Sequence, residues 1–333
     1  MSLVIEAQLA DLEFHKIPVI DFSEISKPQN LQCAAAREKL VAEIRDACVR
    51  VGFFYVKNYD IGEHIIDRVL AAMQEYFARP EEEKMKLSAA LVNKGGLPIK
   101  GYIPLLQGRV SGRGQDLNEG FLFGFDRGKD ETHYWPGVDN MEEFREAALD
   151  YYKAATGLGD ELYRLLAESL ELPTDWFKER TKSGKFAWKS LYYPPQNADD
   201  LLNPENTTLG IGEHADWVGI TILWQQYGRQ ALQVVNPAGK WVDAPALPGT
   251  FIVNIAESIT RLTNGIYQCT KHRVINKSGE ERYSMPIFFG LDYDVLLEPI
   301  PSCVSPERPF KYEVITEGEH LQRKITASRY GSY

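Results

Sequence analysis

Downstream of Phe186 the sequence stops repeating apolar residues at helical spacing and turns to short β-branched and aromatic runs separated by Gly, Pro and Asn. These are Trp188 to Tyr193, Gly219 to Trp224, Ala231 to Val235, Thr250 to Ile255, His272 to Ile275 and Tyr283 to Phe289. Such a density of short strands predicts a β-sandwich or jelly roll carrying helices on its outside. There is no internal repeat and no low-complexity tract, which sets aside solenoids and propellers.

The upstream part supplies the helices. Ile17-Pro18-Val19-Ile20-Asp21-Phe22 reads as an edge strand, where a proline without an N–H is tolerated. Between Ala34 and Arg50, the residues Leu40, Ile44, Ala47 and then Val51 recur at steps of three and four, the period of an amphipathic helix. Gly52 ends it, and Phe53-Phe54-Tyr55-Val56 follows as a strand. A second helix from Glu63 to Phe77 presents Ile66, Val69, Leu70, Met73 and Phe77 on one side, with Pro80 as its stop. A third pattern runs from Met141 to Leu172, interrupted near Gly157 and Gly159 and closed by Pro173. The expected layout is one domain over 1–333: an N-terminal helical cap to about 100, a jelly-roll core over about 101–300 and a C-terminal extension from 301.

With 44% hydrophobic and 25% charged residues, the composition is that of an ordinary folded chain rather than a disordered one. A net charge of −10 argues against a surface built to neutralise nucleic acid or an anionic membrane, so neither is an expected partner. Cys33, Cys48, Cys269 and Cys303 lie far apart without a C-x-x-C pair, suggesting neither a zinc ribbon nor a dense disulfide framework and fitting a reducing compartment. The stretch MSLVIEAQLADLEFHK has scattered acidic residues and no apolar signal region, and no long apolar run occurs elsewhere. The expected location is cytoplasmic.

The chain holds six histidines, few enough for their placement to inform. In Glu213-His214-Ala215-Asp216-Trp217 an imidazole and a carboxylate stand two residues apart, and on a strand the period of two puts both on one face, able to share a metal. His272 opens another β-branched run far downstream. Two His and one carboxylate are the facial ligand set of non-haem Fe(II) with open positions. Three protein ligands leave three octahedral sites, two for a chelating 2-oxo acid and one for dioxygen. An isolated H-x-D is a weak signal, since lone histidines are more often structural or surface groups than ligands.

Arg282-Tyr283-Ser284 strengthens it. On a strand, Arg282 and Ser284 point to one side, and Arg grips a carboxylate through two parallel charge-assisted hydrogen bonds. Alternate Arg and Ser usually mark a solvated face, but here the alternation continues into Pro286 and Phe288. A face that turns apolar along its length reads as a pocket wall.

With these residues in place, the sequence resembles the isopenicillin N synthase-like branch of the Fe(II)/2-oxoglutarate-dependent dioxygenases over nearly its whole length. The N-terminal match runs through Ile17-Pro18-Val19-Ile20-Asp21, Gly52 to Asn58, Pro80 to Lys84 and Gly101-Tyr102. The catalytic half matches the H-x-D, distal His and R-x-S pattern, with Pro248 to Ile255 and Thr263-Asn264-Gly265 between. The resemblance implies a double-stranded β-helix (jelly-roll) core with an N-terminal helical cap, and Fe(II) bound by His214, Asp216 and His272. It implies the C5 carboxylate of 2-oxoglutarate held by Arg282 and Ser284, with Tyr193 matching a tyrosine that many relatives add there. O2 is the further co-substrate and ascorbate a candidate reductant. Leu191 stands where plant relatives often carry Asn, and Tyr59 where the family often has His. The implied reaction oxidises an unactivated C–H bond of a small organic molecule, as in secondary metabolism, by hydroxylation, desaturation or ring formation, releasing succinate and CO2. Isopenicillin N synthase and the aminocyclopropane-carboxylate oxidases keep similar triads and R-x-S pairs without using 2-oxoglutarate, so that alternative stays open. So does a non-catalytic metal-binding β-sandwich, which would have no reason to place Arg282 and Ser284 on a face leading into Pro286 and Phe288.

Other signals are weaker. Gly210-Ile211-Gly212 lacks the third Gly and the helix of a dinucleotide loop. The segment Gly108 to Gly114 lacks the ending of a phosphate loop, and reads equally as an active-site flap or a plain surface loop. Tyr102, Arg109, Arg113, Phe121, Phe123, Pro286 and Phe288 are the substrate-pocket candidates, with core packing an equal reading for the two phenylalanines of Gly120-Phe121-Leu122-Phe123.

Overall fold

The computed structural model describes residues 14–27, 33–59, 61–92, 100–106, 116–123, 142–182, 186–196 and 209–330. The chain runs β1 (Val19–Asp21), α1 (Ala34–Arg50), β2 (Phe53–Lys57), α2 (Glu63–Phe77), α3 (Glu81–Met85), α4 (Ala89–Val92), β3 (Gly101–Ile103), β4 (Glu119–Leu122), α5 (Glu142–Ser169) and β5 (Phe186–Tyr193). It continues through β6 (Ile211–His214), β7 (Ile220–Gln225), β8 (Leu232–Val235), β9 (Trp241–Asp243), β10 (Thr250–Ile255), α6 (Glu257–Leu262), β11 (His272–Val274), β12 (Arg282–Phe289) and α7 (Glu317–Tyr330).

An eight-stranded sheet, ordered β1-β2-β10-β7-β12-β5-β4-β3, faces a four-stranded sheet, β6-β11-β8-β9. This is a jelly-roll core with flanking helices. The edge position expected for the Pro18 segment holds, since β1 pairs only with β2. The boundary expected near residue 100 does not separate layers: β1 and β2 extend the large sheet, while α5, within the span expected to be core, packs on α1 and α2.

Period-two alternation divides the apolar residues into two cores. On β12, Tyr283, Met285, Ile287 and Phe289 point to the helix side, where they join Tyr151, Leu158, Leu162 and Leu166 of α5. Each such buried side chain contributes about 1.5–3 kcal/mol. On the other side of the large sheet, Phe53, Tyr55, Leu191, Tyr193, Leu223 and Ile252 pack between the sheets with Leu232, Val234 and Val274.

Helix α5 runs 28 residues through Gly157 and Gly159 without the expected interruption. The glycine signal has a packing cause. A Cβ on Gly159 would stand 2.3 Å from the Phe289 ring, so the missing side chain lets α5 lie directly on β12. Met141, the expected start, lies outside the described residues. All four cysteines are free, and no helix among the described residues is long and apolar enough to cross a membrane.

The C-terminal extension forms a helix that docks on the barrel. Glu317, in the first turn of α7, accepts a hydrogen bond from the Ser258 hydroxyl at 2.6 Å, and His320 Nε2 lies 3.1 Å from the Trp217 carbonyl.

Candidate active site

His214 ends β6 and His272 begins β11, and the antiparallel register sets them opposite one another. Asp216 does not share the strand with His214, as its spacing predicted; β6 stops at His214 and the carboxylate rises from the turn into β7. That turn is fixed by its own backbone. Glu257 N–H donates to the Asp216 carbonyl at 3.0 Å and Ser258 N–H to the Trp217 carbonyl at 3.2 Å. Gly219 completes it at φ +58, where a Cβ would collide with the Phe289 carbonyl.

The ligand atoms of His214, Asp216 and His272 lie within 4.8 Å of one another. Asp216 Oδ2 accepts from the Thr221 hydroxyl at 2.5 Å and the Asn254 amide at 2.8 Å. Its Oδ1 faces His214 Nε2 at 3.7 Å and His272 Nε2 at 3.9 Å. Each imidazole points Nδ1 at a carbonyl, Gly212 at 2.8 Å and Thr270 at 3.2 Å, so that Nδ1–H donates and Nε2 keeps its lone pair for the centre. Burial and the neighbouring His272 push the His214 pKa down to about 3, leaving its imidazole neutral. Burial raises the Asp216 carboxyl, but His272, His214 and the hydrogen bonds from Thr221 and Asn254 outweigh it and hold the group ionised. One carboxylate oxygen and two imidazole nitrogens therefore converge within 4.8 Å of one another, a donor set that fits a divalent metal with open positions.

Arg282 lies on β12 of the large sheet, across the barrel from the histidine-bearing strands β6 and β11. It is 1% exposed, with Nη2 donating to Gln225 Oε1 at 3.0 Å and Nη1 to the Ser284 hydroxyl at 3.4 Å. Its guanidinium carbon stands 4.7 Å from the Tyr193 ring centroid, and its Nε has no hydrogen-bond partner. Among the described residues no carboxylate pairs with it. A buried cation satisfied only by neutral groups is costly, and burial pushes its pKa down. A carboxylate offering two oxygens to the guanidinium would complete the set, which fits one end of 2-oxoglutarate. Tyr193 pairs with Arg282 across β5 and β12; burial raises its hydroxyl pKa, while Arg282 and Ser284 pull it down.

The register sets the two groups at different levels. Ser284 is opposite Gln225, and Phe288 is opposite Thr221, the residue that holds Asp216. Pro286, opposite Leu223, lies between those two pairs. Pro286 is buried and Phe288 half-buried on this wall.

The other aromatic candidates lie elsewhere. Across β4 and β5, Gly120 pairs with Leu191 and Leu122 with Lys189, so Gly120 and Leu122 take the barrel side. Phe121 faces the helices, where Tyr76 and Phe144 enclose it. Phe123 stacks on Trp188 at 4.7 Å. Tyr102 pairs with Phe121 on β3, and its hydroxyl donates to Glu119, which also pairs with Lys84. The expectation that Tyr102, Phe121 and Phe123 line the pocket is thus corrected: they belong to the outer core. Arg109, Arg113 and the rest of the 108–114 segment lie outside the described residues.

Sequence reasoning assigned no role to Gln225, Thr221 or Asn254. Their signal is polarity inside apolar strands, since Ile220-Thr221-Ile222-Leu223-Trp224-Gln225 and Thr250-Phe251-Ile252-Val253-Asn254-Ile255 each bury polar side chains that need partners.

Comparison with known proteins agrees with this geometry. Residues 17–144 match the family model described as non-haem dioxygenase in morphine synthesis N-terminal, and residues 187–291 match the 2OG-Fe(II) oxygenase superfamily. The chain is 33% identical to the 2-oxoglutarate-Fe(II) type oxidoreductase hxnY of Emericella nidulans, over 94% of this chain and 90% of that protein. It is 30% identical to a homoarginine-6-hydroxylase of Oryza sativa subsp. japonica, over 94% and 97% of the two chains. A full-length Neurospora crassa protein, solved in complex with alpha-KG, superposes with a TM-score of 0.80 at 25% identity, covering 95% of this chain and 98% of that one. Sequence family, fold and donor chemistry agree, and the chain belongs to the 2OG-Fe(II) oxygenase superfamily, as an Fe(II)- and 2-oxoglutarate-dependent oxidoreductase of small molecules.

Proposed function

We propose that His214, Asp216 and His272 hold the iron, that Arg282 and Ser284, with Tyr193 against the guanidinium, hold the C5 carboxylate of 2-oxoglutarate, and that the enzyme hydroxylates an unactivated C–H bond. The observation that carries this reading is Arg282, a buried guanidinium without a carboxylate partner among the described residues, on the wall that leads to the triad. When bound, iron, 2-oxoglutarate and dioxygen supply the oxidising power, with succinate and CO2 as products.

The protein's own part is orientation. Thr221 and Asn254 hold Oδ2 of Asp216 so that Oδ1 faces the metal, and the Gly212 and Thr270 carbonyls fix both imidazoles in the ligating tautomer. Pro286 and Phe288, the latter opposite the Thr221 that holds Asp216, offer an apolar surface on which a substrate C–H bond would be brought within reach. A cytosolic site of action fits the four free thiols.

Anaerobic addition of Fe(II) and then 2-oxoglutarate tests the reading. A visible metal-to-ligand absorption is expected only when both are present, followed in air by slow succinate formation without substrate. Substrate turnover that proceeds equally well without 2-oxoglutarate would overturn it in favour of an isopenicillin N synthase-like oxidase.

A further inference from the structure

Lys189 belongs to neither group of residues described above, yet it stands on the same wall. On β5 it shares the barrel side with Leu191 and Tyr193. It pairs with Leu122 on β4 and, because Trp188 pairs with Ile287, lies beside Pro286 on β12. Its ammonium is 5.7 Å from the Phe288 ring centroid. Pro286 is opposite Leu223, between the levels of Gln225 and Thr221, and the Lys189 ammonium reaches from there toward Phe288 and is acted on by Asp216.

Among the described residues its ammonium makes no hydrogen bond and no ion pair. The carboxylates that act on it at longer range are Asp216 and Asp116. Both are engaged elsewhere: Asp216 is assigned to the metal, and Asp116 Oδ1 accepts from the Gly212 N–H at 3.0 Å. In the loaded site the metal dication, Asp216, the two carboxylates of 2-oxoglutarate and Arg282 cancel in charge, which leaves the buried Asp116 as the carboxylate acting on Lys189. Asp116 then balances Lys189 only at longer range, and the ammonium is left with no hydrogen-bond acceptor among the described residues.

We propose that Lys189 is a specificity-determining residue that receives a carboxylate of the substrate, whose apolar body rests on Phe288 and Pro286, so that the substrate class is small monocarboxylic acids. This rests on the oxygenase reading of the site. Burial lowers the ammonium's pKa, and an incoming carboxylate offsets that cost through a charge-assisted hydrogen bond. An uncharged substrate would leave the ammonium without a partner.

The test pairs acids with their amides: hexanoate with hexanamide, phenylacetate with phenylacetamide, and indole-3-acetate with indole-3-acetamide. Each is titrated anaerobically into enzyme holding Fe(II) and saturating 2-oxoglutarate, so that no acid enters at Arg282. Binding is read from the change in visible absorption and, separately, from the melting temperature, neither of which needs turnover. At least one acid is expected to bind about ten- to a hundredfold more tightly than its amide. Lys189→Met removes that preference and Lys189→Arg retains it, while both variants still develop the absorption of the iron and 2-oxoglutarate complex. Amides binding as well as acids throughout, or a preference that survives Lys189→Met, overturns the proposal. If wild-type enzyme develops no absorption with Fe(II) and 2-oxoglutarate, the oxygenase assignment of the site fails, and the melting shifts with acids and amides decide Lys189 by themselves.

Discussion

The two charged regions of the barrel interior are built on opposite terms. At the metal end every polar group that is not needed for coordination is already engaged: Oδ2 of Asp216 by Thr221 and Asn254, and both Nδ1 atoms by backbone carbonyls. At the Arg282 end the protein stops short. Gln225 and Ser284 take part of the guanidinium, Nε is left without a partner, and no described carboxylate answers the charge. Satisfied hydrogen bonds hold the first region in place before anything binds, whereas the second carries an unfavourable burial that a carboxylate would relieve. On the proposed assignment, the difference makes metal affinity a matter of orientation and co-substrate affinity a matter of relieving an unpaired charge.

The largest effect that can break this contrast is loss of a ligand. His272→Ala leaves two donors, and iron affinity measured by anaerobic titration should fall well beyond the roughly 10–100-fold typical of removing an outer partner. Full iron occupancy in that variant, and in His214→Ala, would remove the triad from consideration.

Arg282→Met should act on the other end alone. Apparent 2-oxoglutarate affinity is expected to fall by about a hundredfold, since a charge-assisted, two-pronged contact is lost, while iron titrates as in wild type. Because the variant also removes an uncompensated buried charge, its ligand-free form should melt higher by about 2–4 °C. A lower melting temperature would mean that Arg282 is structurally paired, and the contrast between the ends would collapse. Arg282→Lys, which keeps the charge but not the fork, should bind 2-oxoglutarate at an intermediate strength.

Asn254→Ala sharpens the metal end. With one of the two hydrogen bonds to Oδ2 gone, Asp216 can swing, and iron affinity should drop about 10-fold with 2-oxoglutarate binding to the remaining holoenzyme unchanged. Equal losses of both would show that the two ends are coupled through β7 and β10.

The smallest effect at the site belongs to Phe121→Ala. As an outer-core residue it should cost about 3–5 kcal/mol of stability, read by denaturant unfolding, and leave both affinities as they are. A changed product distribution with little loss of stability would return Phe121 to the pocket.

Much of this was legible in the sequence because it is local. Alternation along β12 placed Arg282, Ser284, Pro286 and Phe288 on one face, and the register places them so. The helical period at Leu40, Ile44 and Ala47 marked α1, whose bounds match the expectation. The misreadings come from information that strands do not carry alone. Phe121 alternates with Phe123 as expected, but which side of the sheet that phase occupies is set by pairing with β5, a partner about seventy residues away in sequence. Gly159 carries the residue type of a helix break, and only the Phe289 ring beneath it gives the other meaning. Asp216 reaches the histidines by a turn rather than by strand alternation, a geometry set by contacts with α6. Lys189 drew no attention because a lysine in a strand ordinarily faces water, and its half-buried place on the barrel side follows from where β5 sits between β4 and β12.

Helix α7 has a consequence in time. It follows every strand of the barrel in the chain, yet His320 reaches the Trp217 carbonyl and Glu317 reaches Ser258, so it buttresses the turn from which Asp216 projects. A ribosome therefore delivers both imidazoles, on paired strands, before it delivers the helix that steadies the third ligand. On the proposed ligand set, a chain still lacking α7 would present Asp216 on a turn without that buttress, and the centre would be complete only once the last helix has docked.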